Sequence, residues 1–322
     1  MDNLDDLERP PVLGIASILE AQPQHASTNE PASADETLYS PVISQHAPNL
    51  EREVPTLSNT FIFFALAIGV TLIVGLLILA IAAFFAPHDS ADIRSLALDT
   101  RLAVPSQAIE YLILLALTVL LFRSIWQRPF WQTVHWNSIA VAKRWFPLLV
   151  AGIALGLING AASNVLPMPK EAPILNDLMR STAGAWLMFL FGTTLAPLLE
   201  EIAFRGFLLP SLINFFNWRT RRAPMPVMPL STTPPSPVSA LIVPASVLLA
   251  SAPFAILHGE QVSWAWAPIA LIGFISVVLC VVRLWTRSLA ASTFVHGVYN
   301  FTLFVGMAIA SDGFRHLDKL NN

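Results

Sequence analysis

Six side chains of the kinds that move protons or hold metals stand inside apolar runs of this sequence. Glu200, Glu201 and Arg205 lie in "APLLEEIAFRG", which continues the apolar stretch "WLMFLFGTTL". His258 closes "FAILH", and His296 and Asn300 bracket "HGVYN". A charge at the centre of a membrane helix costs about 2.5–3.5 kcal/mol on insertion scales, so the first three facing lipid would cost about 8–10 kcal/mol together. They must therefore face protein or a wet cavity. Glu201 and Arg205 are four apart, share a helix face and can pair. That leaves Glu200, about 100° away around the helix, with no partner in its own helix. An unpaired carboxylate in such surroundings can act as a base. His296 and Asn300 are also four apart and share a face. One carboxylate, two imidazoles and an amide could thus activate a water and hold an oxyanion, or Glu200, His258 and His296 could ligate zinc with one open position. No HExxH motif is present.

Taken singly, these residues have plainer readings. A lone intramembrane histidine is often a helix–helix hydrogen-bond partner, and Glu201 with Arg205 can be a structural ion pair. Tyr299, Phe204, Phe254 and Phe294 read as packing residues. It is the set of six that points to chemistry.

The elements that must position them are membrane helices. The chain has 322 residues, 55% hydrophobic and 12% charged, about half the charge of a soluble domain. Apolar runs at 60–86, 104–122, 145–166, 185–216, 238–258, 264–282 and 288–310 predict an all-α polytopic membrane bundle of about seven transmembrane helices, with a range of six to eight. The fourth run is long enough to break into a span and an embedded amphipathic helix, with a kink expected at Pro197. Residues 1–58 are acidic, Pro-rich and poor in aromatics, and read as a disordered tail. Residues 59–182 read as the N-terminal transmembrane helices, 183–310 as the core that carries the six polar residues, and 311–322 as a polar C-terminal tail. No internal repeat is visible.

Net charge is −3, and no Lys/Arg stripe suits a nucleic acid or a nucleotide. The single Cys280 excludes an internal disulfide and any CxxC site. Arg123, Arg128, Lys143 and Arg144, then Arg219, Arg221 and Arg222, then Arg283 and Arg287 load the loops of one side more heavily than Arg94, Arg101, Lys170, Arg180, Arg315 and Lys319 load the other. This bias places the N-terminus in the cytoplasm; a bacterial inner membrane is the expected location.

"EEIAFRG" fits EExxxR, "FAILH" fits FxxxH and "HGVYN" fits HxxxN, in that order on successive membrane helices. Across roughly residues 183–305 the chain resembles the CPBP family, the type II CAAX prenyl endopeptidases and bacteriocin-processing proteins also called Abi or abortive-infection proteins. The resemblance implies an intramembrane endopeptidase acting on a membrane-associated peptide, CAAX-type or bacteriocin-like. It implies Glu200 as the general base, His258 as the group that holds the water, and His296 with Asn300 as oxyanion stabilisers. Glu201 and Arg205 would orient that site. Both a zinc-dependent and a metal-free route are held for the family. The alternatives are a catalytically inactive immunity or scaffold protein of the same fold, and a proton-coupled transporter.

Overall fold

The computed structural model describes residues 54–85, 100–168, 181–221 and 237–316. The segment 1–53 of the expected tail, most of the 217–238 proline-rich loop and the last residues of the C-terminal tail lie outside the described residues. The described chain is helical, without a strand, and holds seven helical stretches long and apolar enough to cross a membrane.

α1 (Leu57–Phe85) is apolar all round and presents most of its large side chains outward, as a lipid-facing helix must. Its start is fixed by reciprocal bonds, Thr56 N–H to Asn59 Oδ1 (3.0 Å) and Asn59 N–H to Thr56 Oγ1. The same Asn59 oxygen accepts from Trp126 Nε1 at 3.1 Å, tying α1 to the end of α2 (Thr100–Trp126). A single turn, α3 (Phe130–Thr133), leads to α4 (Ser138–Ser163), capped by Asn137. Arg144 in α4 leaves helical geometry three residues before Pro147, whose ring would clash with the carbonyl one turn back.

The fourth span covers Thr182–Thr220. A straight helix of that length would run about 60 Å, twice the hydrocarbon thickness. It breaks instead. α5 (Thr182–Thr193) stops at Thr194, which has φ −123° and ψ −78°. α6 (Leu195–Glu201) follows, then a π-helical turn over Ile202–Leu208, then α7 (Leu209–Arg221). The break therefore lies at Thr194, not at Pro197. Pro197 sits in the first turn of α6, where no backbone donor is needed, and cannot bond the Thr193 carbonyl. α8 (Pro237–Leu257), α9 (Trp266–Thr286) and α10 (Leu289–Ala310) complete the bundle.

The π-helical turn is held by an aromatic cluster. Phe207 lies 4.6 Å from Phe122 and 4.9 Å from Phe63 between ring centroids, and every residue from Ile202 to Phe207 is buried. Among the described residues, the most extensive helix–helix packing is between α4 and α10. There Gly152 and Gly156, one turn apart, meet Val298 and Thr302. Small residues at this spacing let two membrane helices approach closely.

Candidate active site

Two helix irregularities and one helix end aim the polar residues inward. The Thr194 break restarts the helix so that Glu200 and Glu201 arrive at its last turn, just before the π-helical turn. Single π-turns inside helices recur at functional sites because they rotate the side chains on either side. His258 follows the last residue of α8, and its Nδ1–H donates to the Phe254 carbonyl at 2.7 Å. That bond leaves Nε2 free to face the interior. His296 and Asn300 lie one turn apart on α10.

The pieces converge. Glu200 Oε2 is 3.7 Å from His296 Nε2 and 3.9 Å from His258 Nε2. Those separations exceed a direct hydrogen bond and suit a carboxylate and two imidazoles sharing one water. The Glu200 and His258 side chains are 24% and 21% exposed, whereas Glu201 and Arg205 are fully sealed. The first pair can therefore meet water, and the second cannot.

Behind the front residues is a charged layer. Glu201 Oε1 accepts from Arg205 Nη1 at 2.9 Å and from His296 Nδ1 at 3.1 Å. A carboxylate on Nδ1 fixes which imidazole nitrogen carries the proton and turns Nε2 toward Glu200. Arg205 also lies 4.6 Å over the Phe254 ring, and Phe254 is the residue whose carbonyl holds His258. One buried guanidinium thus braces both imidazoles, His296 through Glu201 and His258 through Phe254. Asn300 Nδ2 donates to the Gly192 carbonyl at 2.6 Å, a carbonyl in the last turn of α5, just before the Thr194 break. Its second N–H is left for another acceptor.

Glu200, His258, His296 and Asn300 line one cavity of about 410 Å³, with Tyr111 and Tyr299 in its wall. It runs from the middle of the bundle to the end where α2 starts and α8 stops, and exposed Gln107 and Gln261 stand at that end. Glu201 and Arg205 do not line it. Tyr111 and Tyr299 carry no motif signal. Gly152 and Gly156 do carry one: the small-xxx-small spacing in "AGIALGLING" marks the face that seats α10.

Spacing bears on whether these residues form a metal set. Two ligand atoms about 2.1 Å from a tetrahedral zinc lie about 3.4 Å apart. Glu200 stands 3.7 and 3.9 Å from the two imidazole nitrogens. Among the described residues no group of three or more His, Cys, Asp or Glu side chains is disposed to hold a metal ion. Glu200 thus stands wider from both imidazoles than closed zinc ligation needs, and no chemistry is derived through a metal.

The fold and site define a polytopic helical membrane protein with a water-accessible Glu–His centre inside its bundle. Residues 182–302 match the Rce1-like family, described as type II CAAX prenyl endopeptidase Rce1-like. That match spans the stretch that carries EExxxR, FxxxH and HxxxN, in agreement with the resemblance read from the motifs. No curated protein and no solved structure matches the chain.

Proposed function

We propose that the protein is an intramembrane endopeptidase that hydrolyses a peptide bond with a water activated by Glu200. The observation that carries this reading is the approach of Glu200 Oε2 to the Nε2 atoms of both His258 and His296 beside one cavity. The water sits between Glu200 and His258, and Glu200 takes a proton as the oxygen attacks the scissile carbonyl. The new C–O bond pushes charge onto the carbonyl oxygen. The second N–H of Asn300 donates to that oxyanion, and so does His296, which enters the step as an imidazolium with Nδ1–H on Glu201 and its Nε2 proton taken up from water in the cavity. Collapse breaks the C–N bond, and Glu200 returns its proton to the leaving amine. Glu201, held by Arg205, offsets the positive charge on His296 during this step.

The substrate is a membrane-associated peptide of the CAAX or bacteriocin type, entering at the Gln107 and Gln261 end. The basic loops lie at the opposite end, so with the N-terminus inside the mouth faces away from the cytoplasm. Labelling Gln261→Cys in intact cells with a membrane-impermeant maleimide checks this, because the native Cys280 is fully buried. Labelling only after lysis would reverse the orientation.

The function is tested with purified protein in detergent and a peptide library, comparing wild type with Glu200→Ala and His296→Ala. Turnover by the wild type alone supports the reading; equal turnover by all three ends it. Full complementation of a deletion phenotype by Glu200→Ala would instead favour a non-catalytic scaffold role.

A further inference from the structure

The three motifs come from the fourth, fifth and seventh spans, but a fourth helix also reaches the charged layer. Arg205 Nη2 donates to two acceptors on one residue of α9, the Ser276 hydroxyl at 2.7 Å and the Ser276 carbonyl at 3.0 Å. Ser276, Arg205 and Glu201 are all at 0% exposure. The bonds then run in series, from Ser276 to Arg205, from Arg205 Nη1 to Glu201 Oε1, and from the same Oε1 to His296 Nδ1. Each link fixes the orientation of the next. A guanidinium is planar, so two acceptors on Nη2 and one on Nη1 set its plane. That plane sets the position of Oε1, and Oε1 sets the imidazole tautomer.

We infer that Ser276 is a positioning residue, which acts through Arg205 and Glu201 to hold His296 with its proton on Nδ1 and Nε2 facing Glu200. The inference rests on the peptidase reading for its kinetic consequence only; the tautomer is a property of the fold. Without the hydroxyl, Nη2 keeps only the Ser276 carbonyl. The Nε atom of Arg205 already lacks a partner in the structure, and the Cys280 thiol beside the guanidinium is a weak acceptor, so little is left to hold the plane. The guanidinium can then tilt toward the Phe254 ring, Oε1 loosens, and His296 samples both tautomers.

The test uses full-length protein with ¹⁵N-labelled histidine in detergent micelles. The chain has seven histidines, and His296→Gln assigns the signal. The wild type is expected to show one His296 tautomer protonated at Nδ1. Ser276→Ala should show exchange between two tautomers, and Ser276→Thr, which keeps the hydroxyl, should restore one. Turnover should fall about tenfold in kcat, the loss of one hydrogen bond to a charged group, with KM unchanged. If Ser276→Ala does not fold, Ser276→Cys, with its weaker acceptor, gives the same readout. A wild-type tautomer in Ser276→Ala or Ser276→Cys overturns the inference. A tautomer change in a protein with no peptidase turnover upholds it and removes the proposed function instead.

Discussion

Substituting Gly152 with alanine should cost activity out of proportion to its size. A Cβ there would lie 2.6 Å from both Cβ and Cγ1 of Val298 and 2.9 Å from the Val295 carbonyl oxygen. Carbon atoms rest about 3.8 Å apart, so α10 must retreat by about 1 Å. Neither obstacle yields by rotating a side chain, because one is a Cβ and the other is backbone. The helix that retreats carries His296 and Asn300, and His296 lies between the two contact points in sequence. Overpacking of this kind costs about 1–3 kcal/mol of stability. A displacement of about 1 Å at a reacting group can cost about a hundredfold in rate. Thermal unfolding followed by tryptophan fluorescence, with peptide turnover on the same sample, measures both. Gly160→Ala is the control: it lies on the same helix and a Cβ there meets nothing within 4 Å, so it should be neutral or slightly stabilising. Wild-type turnover and melting in Gly152→Ala would refute the idea that the α4–α10 contact sets the position of the site.

Other consequences follow from the buried charges, from the basic end of the bundle and from the donor spacing. Arg205→Met strands the sealed Glu201 carboxylate and should destabilise by about 3–5 kcal/mol, whereas the double change with Glu201→Met should recover much of the loss; equal melting of the two variants would contradict this. His135 lies between α3 and α4, where burial, then the nearby Arg283 charge, lower its pKa below the usual histidine value. The folded state thus binds fewer protons than the unfolded chain, so this stability is present above the unfolded pKa of about 6.5 and is lost as pH falls below it. His135→Asn, which suits the φ of 57° there, should flatten the melting profile across that window; an unchanged profile would exclude the histidine as its cause. Dialysis against a strong chelator should leave turnover unchanged, because the donors stand wider apart than closed zinc ligation needs and the proposed route activates water with Glu200 and His258 alone; a loss restored by zinc would overturn that reading.

Much of the architecture is written locally. Uninterrupted apolar runs announce the spans, and intramembrane Glu, Arg and His announce an interior polar site because lipid exposure would be too costly. The three motifs name which helices carry it. What stays hidden depends on approach between segments far apart in sequence. The break at Thr194 has no strong sequence mark beyond Pro197 three residues later. The π-helical turn depends on Phe207 finding Phe63, Phe122 and Trp126. Ser276 resembles any other small polar residue of a membrane helix until Arg205 is placed against it. Gly152 and Gly156 show a spacing, but only the fold says that the partner is the helix bearing His296.

The most direct test is a single turnover of peptide by excess enzyme in ¹⁸O-enriched water, followed by mass spectrometry of product and protein. If Glu200 acts as a base on a water held beside His258, the new carboxyl group carries one solvent oxygen from the first turnover and Glu200 stays unlabelled. An unlabelled first product, with ¹⁸O later appearing in the Glu200 carboxylate, would mean direct attack by that carboxylate and would contradict the account.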